Sequence, residues 1–203
     1  MNARESALAD LAAARTAYDD STRTSWFAPS EVANRLVAAA DHVAKVAGGP
    51  RAIELTDVPQ CDPGTPMPQV LGDGQSVWLS YFLGGDGFFT DRAVLRFSGV
   101  DSVSFGGPND EALHGHSLWG KGLAFYAFHE VIGSRWVATR ERENSIHEHH
   151  RPVRFARLRH FVFTFHDETF ECLADGYAVD DDRGLREVLR GWDGNDARLE
   201  SGS

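Results

Sequence analysis

Lysine is nearly missing from this chain. It occurs twice, at Lys45 and Lys121, against eighteen arginines. Acidic side chains outnumber basic ones by 30 to 20, for a formal net charge of −10. A surface of that sign repels phosphate backbones, which excludes general nucleic-acid binding. Cysteine is as sparse. Cys61 and Cys172 stand far apart, so no disulfide framework is expected and the pair reads as free thiols. No run approaches ~18 apolar residues, which excludes a membrane-spanning helix. Asp10 and Arg15 break the N-terminal apolar stretch. No secretory signal is therefore expected, and the chain is placed in the cytoplasm. G-x-S-x-G and HExxH are absent, and no Lys-Ser/Thr pair follows the glycines at 84, 85 and 87.

What is present suffices for a core: 203 residues, 42% hydrophobic and 25% charged. One domain is the default at this length. The expected organisation is a helical segment over 1–50, an antiparallel α+β core over 51–190, and a disordered tail over 191–203. The spacing of Leu8, Leu11, Ala12 and Tyr18 predicts a helix over 3–18. A second helix starts at Ser30 and ends at Gly48-Gly49-Pro50. The two helices are read as a layer packed on one side of the sheet, with a homodimer contact as the alternative.

Strands are expected at 52–55, 76–83, 93–97, 100–105 and 123–131. The three from 76 to 105 look like a meander with glycine turns. Four prolines between 59 and 68 keep that loop out of a central strand. Ser134 is placed to cap a helix running to Asn144. A last short helix is expected over 185–189. The fold class is therefore α+β, a mainly antiparallel sheet of about six to seven strands with the N-terminal helices on one side.

The clearest signal is the hairpin over 159–179. Phe161, Phe163 and Phe165 alternate with Val162, Thr164 and His166, a period of two. Phe170, Cys172 and Ala174 repeat it. Asp-Glu is not a favoured two-residue turn, so a four-residue loop over 166–169 is expected. That register sets Phe165 opposite Phe170 and Phe163 opposite Cys172. It leaves His160, Thr164, His166, Glu171 and Asp175 on the other face, and turns Cys172 inward as a packing residue.

Eight of the nine histidines lie between 114 and 166. An H-x-H pair on a strand directs both rings to one side, so His114 and His116 are candidate ligands of a divalent transition metal. The ordinary alternative is a loop whose histidines bond locally. His129 and Glu130, adjacent in a strand, point apart and read as a solvated edge. The run from His147 to His150 reads as a solvated connector. Across the hairpin, His166 with Glu171 and His160 with Asp175 are acid–base candidates or plain cross-strand pairs.

The chain's one basic island spans 135–160, with seven arginines against three glutamates. Within it, Arg154, Arg157 and Arg159 are candidate contacts for an anionic small molecule or protein partner. His116 and Trp119, in the long loop over 106–122, would shape the pocket. The leading expectation is a cytoplasmic binding or accessory protein with no cofactor. The alternative is a small enzyme using His166, Glu171 and His114, on a metal or as acid–base groups.

FGGPNDEALHGHSLWGKGL (105–123) and RHFVFTFHDETFECLADGY (159–177) resemble motifs of a family of small uncharacterised bacterial proteins. There HGH is followed by Pro-Leu, where this chain has Ser117-Leu118. The likeness covers roughly 105–180 and leaves out the N-terminal helices. It implies no activity.

Overall fold

The computed structural model describes residues 2–23, 25, 27–84 and 91–180. The expected helix over 185–189, the tail over 191–203 and most of the 84–87 turn lie outside them. Two antiparallel sheets carry the fold, which is α+β. One has five strands: Arg51–Glu54 (β1), Phe128–Ile132 (β6), Arg159–Thr164 (β7), Thr169–Ala174 (β8) and Ser102–Gly106 (β5), in that spatial order. The other orders Gln69–Gly72 (β2), Ser76–Phe82 (β3), Arg92–Ser98 (β4) and Gly176–Asp180 (β9).

The inner faces pack on each other. Leu79, Tyr81, Leu95 and Phe97 come from the smaller sheet; Phe128, Phe161, Phe163, Phe170 and Cys172 come from the larger. Phe97 touches the rings of Phe161, Phe163, Phe170 and Tyr177 at 5.2–6.0 Å between centroids. These tilted arrangements add to burial itself. Cys172 is fully buried here, and desolvation pushes its thiol up to about 12.

The outer face of the five-stranded sheet is also covered. Val131 and Val162 lie beneath Leu113, Leu118 and Leu123. Leu173 lies beneath helix Pro152–Arg157 (α4) and helix Arg135–Asn144 (α3), through Phe155, Leu158, Trp136 and Val137. Helices Ala3–Thr22 (α1) and Ser30–Ala47 (α2) pack on each other and on Ile132. Asn2 caps α1 through a reciprocal box with Glu5, and Gly48 ends α2 in the left-handed region. Ser134 caps α3 by accepting from the Val137 N–H at 3.2 Å, as the sequence predicts.

Several expectations are corrected. The strands from 76 to 105 are not one meander: β5 leaves β4 and joins the other sheet beside β8. The strand expected over 123–131 begins only at Phe128, because Tyr126 sits at φ +50, which no strand accommodates. The hairpin is slipped by two residues. Phe163 faces Phe170, Phe161 faces Cys172, and the loop is 165–168, closed by the Phe165 N–H donating to the Glu168 carbonyl at 2.8 Å. A two-residue slip keeps every side chain on its face, so the hydrophobic pattern does not detect it.

Truncating Phe97 to Ala should lower unfolding free energy by about 3–5 kcal/mol, the usual loss for a core phenylalanine. Val103→Ala, on the exposed outer edge, should change it by less than ~1 kcal/mol. Urea denaturation of the two variants checks this; equal midpoints would mean that the inter-sheet core is not where stability resides.

Candidate functional site

The outer sheet face places Glu171 (β8) beside His160 (β7). Glu171 is directly opposite Val162 and His160 opposite Leu173, so the two are diagonal neighbours. His160 Nε2 meets Glu171 Oε2 at 2.9 Å. The other carboxylate oxygen, Oε1, meets His116 Nε2 at 3.3 Å. Ser104 of β5 faces Glu171 from the far side.

The covering segment delivers His116. Asn109 caps a 3-10 helix, Asp110–Gly115, by accepting from the Ala112 N–H, and His116 closes that helix. The segment is then tied to the sheet edge where the Ala52 N–H donates to the Lys121 carbonyl at 2.9 Å. Gly122 permits this approach: at φ +99, a Cβ there would lie 2.2 Å from the Ala52 carbonyl oxygen.

Hydrogen bonding assigns the protons. The Leu118 N–H donates to His116 Nδ1 at 3.2 Å, so His116 carries its proton on Nε2 and donates it to Glu171. His160 Nδ1 meets Ser134 Oγ at 2.9 Å. That hydroxyl can donate to the neutral ring or accept from the protonated one. Trp136 stands edge-on to the His160 ring at 5.3 Å and 82°. Burial alone would raise the Glu171 carboxyl, but the hydrogen bonds from His116 and His160, with their charge, outweigh it and hold the group down at about 2.

These groups open into a cleft of about 440 Å³ between the covering segment and α3. Pro50, Leu118, Val131 and Trp136 give it apolar walls; Glu171, His116 and His160, with Ser104, Ser117 and Thr139, are its polar lining, joined by the cations Lys121 and Arg135. The Lys121 ammonium donates to the Ser117 carbonyl at 2.7 Å. Among the described residues, neither Lys121 nor Arg135 has an acidic partner within ion-pair distance.

The other sequence candidates lie elsewhere. His166 does not meet Glu171: its Nδ1 bonds Asp110 Oδ2 at 2.7 Å, and the Tyr126 hydroxyl bonds the same oxygen. The Tyr126 hydrogen bond, followed by that of His166, lowers the Asp110 carboxyl; Asp110 in turn raises His166. Asp175 pairs with Arg157, not with His160. His114 is on the 3-10 helix, not on a strand, and packs on Trp119 and Phe125 at 4.3 and 5.6 Å between ring centroids. It therefore shares no face with His116. Among the described residues, no group of three or more His, Cys, Asp or Glu side chains is placed to hold a metal ion. His116, Glu171 and His160 bond one another instead of converging on an empty point.

The pair at the strand end is not a solvated edge either. His129 is fully buried, and burial pushes its pKa down. Glu130 sits between Arg15 at 3.2 Å and Arg159 at 2.6 Å. The other two arginines expected to contact an anion are also engaged: Arg154 contacts Asp101 at 3.5 Å, and Arg157 contacts Asp175 at 2.9 Å. The run from 147 to 149 is exposed. Sequence reasoning did not single out Ser134 beyond its cap, nor His160 as the partner of Glu171, nor Lys121 and Arg135. The one available signal was that Glu171 and His160 share a strand face.

No protein-family model, no curated protein and no solved structure matches the chain. Among the described residues, no helix is long and apolar enough to cross a membrane.

Because its folded pKa is depressed, ionised Glu171 contributes stability that is complete above its ordinary value of 4.5 and is lost as pH falls toward about 2. At about 1.4 kcal/mol per pKa unit the contribution is at most about 3 kcal/mol. Glu171→Gln should flatten the stability profile between those pH values in thermal melts. An unchanged slope in the variant would show that Glu171 is not the group titrating there.

Proposed function

We propose that this chain is a cytoplasmic binding protein for a small anionic molecule held in the cleft between the covering segment and α3. One observation carries the reading: Lys121 and Arg135 line a cleft without an acidic partner, whereas Arg154, Arg157 and Arg159 are each paired with a carboxylate within the chain. A cation held in an apolar-walled cleft attracts an anion more strongly than one in open solvent. The apolar faces of α1 and α2 are used within the chain, so the reading draws on no dimer.

The second reading is an acid–base enzyme. The chain of contacts from Ser134 through His160 to Glu171 supports it. Against it, the Nε2 protons of both histidines are directed at Glu171, and that carboxylate is too weak a base to take a proton near neutral pH. Ser134 also accepts the Val137 N–H and does not line the cleft.

Calorimetric titration with inorganic phosphate and with small carboxylates tests the binding reading. Lys121→Ala with Arg135→Ala should weaken binding by roughly tenfold or more, and added salt should weaken it in the unmodified protein. Arg154→Ala should leave it unchanged. Equal loss in Arg154→Ala, or no anion bound at all, would remove the cleft as the site.

A further inference from the structure

The cleft presents two opposite charges to whatever enters it. Glu171 is ionised, and its carboxylate has about four lone-pair sites, of which the contacts within the chain use two. The remainder belong to a side chain that is 23% exposed and lines the cleft. His116 accepts the Leu118 N–H at Nδ1 and directs Nε2 at Glu171, so its ring is fixed beside the carboxylate. A ligand bearing only negative charge would gain from Lys121 and Arg135 and lose at Glu171.

From this we infer that the ligand is a small amino carboxylate. Its ammonium group faces Glu171, its carboxylate faces Lys121 and Arg135, and its apolar body lies along Leu118 and Trp136. The inference rests on the reading of the cleft as an anion site and adds the positive end. Glu171 orients the ammonium by charge-assisted hydrogen bonds. His116 and His160 act as positioning residues that fix the carboxylate.

The test is a calorimetric series on the full chain near neutral pH. The probes are L-leucine, N-acetyl-L-leucine, 4-methylpentanoate, 2-hydroxy-4-methylpentanoate and inorganic phosphate. L-leucine should bind at least roughly tenfold more tightly than the acetylated and amine-free forms. Glu171→Gln should reduce that preference while keeping residual carboxylate binding. If the variant does not fold, the ligand series on the unmodified protein decides alone. Equal binding of 4-methylpentanoate, or a hydroxy acid that matches leucine, would overturn the ammonium assignment. Binding of phosphate without binding of leucine would overturn it while leaving the anion site standing. Failure of every probe to bind would remove both.

Discussion

The Glu171 carboxylate ties the covering segment to the sheet. It accepts from His160, its neighbour on the next strand, and from His116, which arrives from 55 positions earlier in the chain. A half-buried carboxylate is tolerated there because both oxygens receive N–H donors; without them, desolvation would favour the neutral acid. The consequences spread outward. His116 is fixed in one tautomer by Leu118, Leu118 packs on Val131 and Val162, and the segment is then anchored by Ala52 at Lys121. Where Lys121 sits in the cleft is thus decided by contacts that begin at Glu171.

Linear charge density is a poor guide to surface charge in this molecule. The arginine-rich stretch over 135–160 finds its acids in remote segments: Asp101 between β4 and β5, Asp175 between β8 and β9, and Glu130 on β6. Asp101 has a side chain only 3% exposed and is also held by Arg140 at 2.7 Å. The Arg15–Glu130–Arg159 triad joins α1 to the sheet through partly buried groups. Breaking one member of such a cluster leaves an uncompensated buried charge, which costs far more than an exposed pair contributes. The segment's net charge therefore mainly binds the fold together, and Arg135 is one of its cations without an acidic partner among the described residues.

How much of this was legible follows from the range of each interaction. The face assignment of the hairpin was legible, because alternation is a local property of Phe161 to Cys172. So were the Ser134 cap and the Gly48 stop, which depend on a few neighbouring residues. The register was not, since a slip by two preserves alternation and is settled by contacts elsewhere: Thr169 Oγ1 to the Pro108 carbonyl, and the Ala127 N–H to Thr164 Oγ1. The departure of β5 into the second sheet was hidden for the same reason. Gly99, at φ +61, lies where a Cβ would strike the Asp175 side chain, and Ser98 and Asp101 bond across to Asp175 and Leu173. Nothing in residues 93–105 alone encodes those partners. The correct mate of His166 lay 56 positions away, at Asp110.

The double burial of the five-stranded sheet also orders the two functional readings. In a sheet with one solvated face, polar residues opposite the phenylalanines would be available to a substrate. Here that face lies under Leu113, Leu118, Trp136 and Phe155, and a buried polar group must first satisfy its own hydrogen bonds. His160 and His116 do so through Glu171, Ser134 and the Leu118 N–H, which leaves neither ring with an uncommitted lone pair aimed at the cleft. Glu171 retains acceptor capacity there, and its low basicity suits it to accept from a donor and not to abstract a proton. The hydrogen bonds that hold the Glu171 carboxylate in place are the same ones that occupy the ring nitrogens of both histidines.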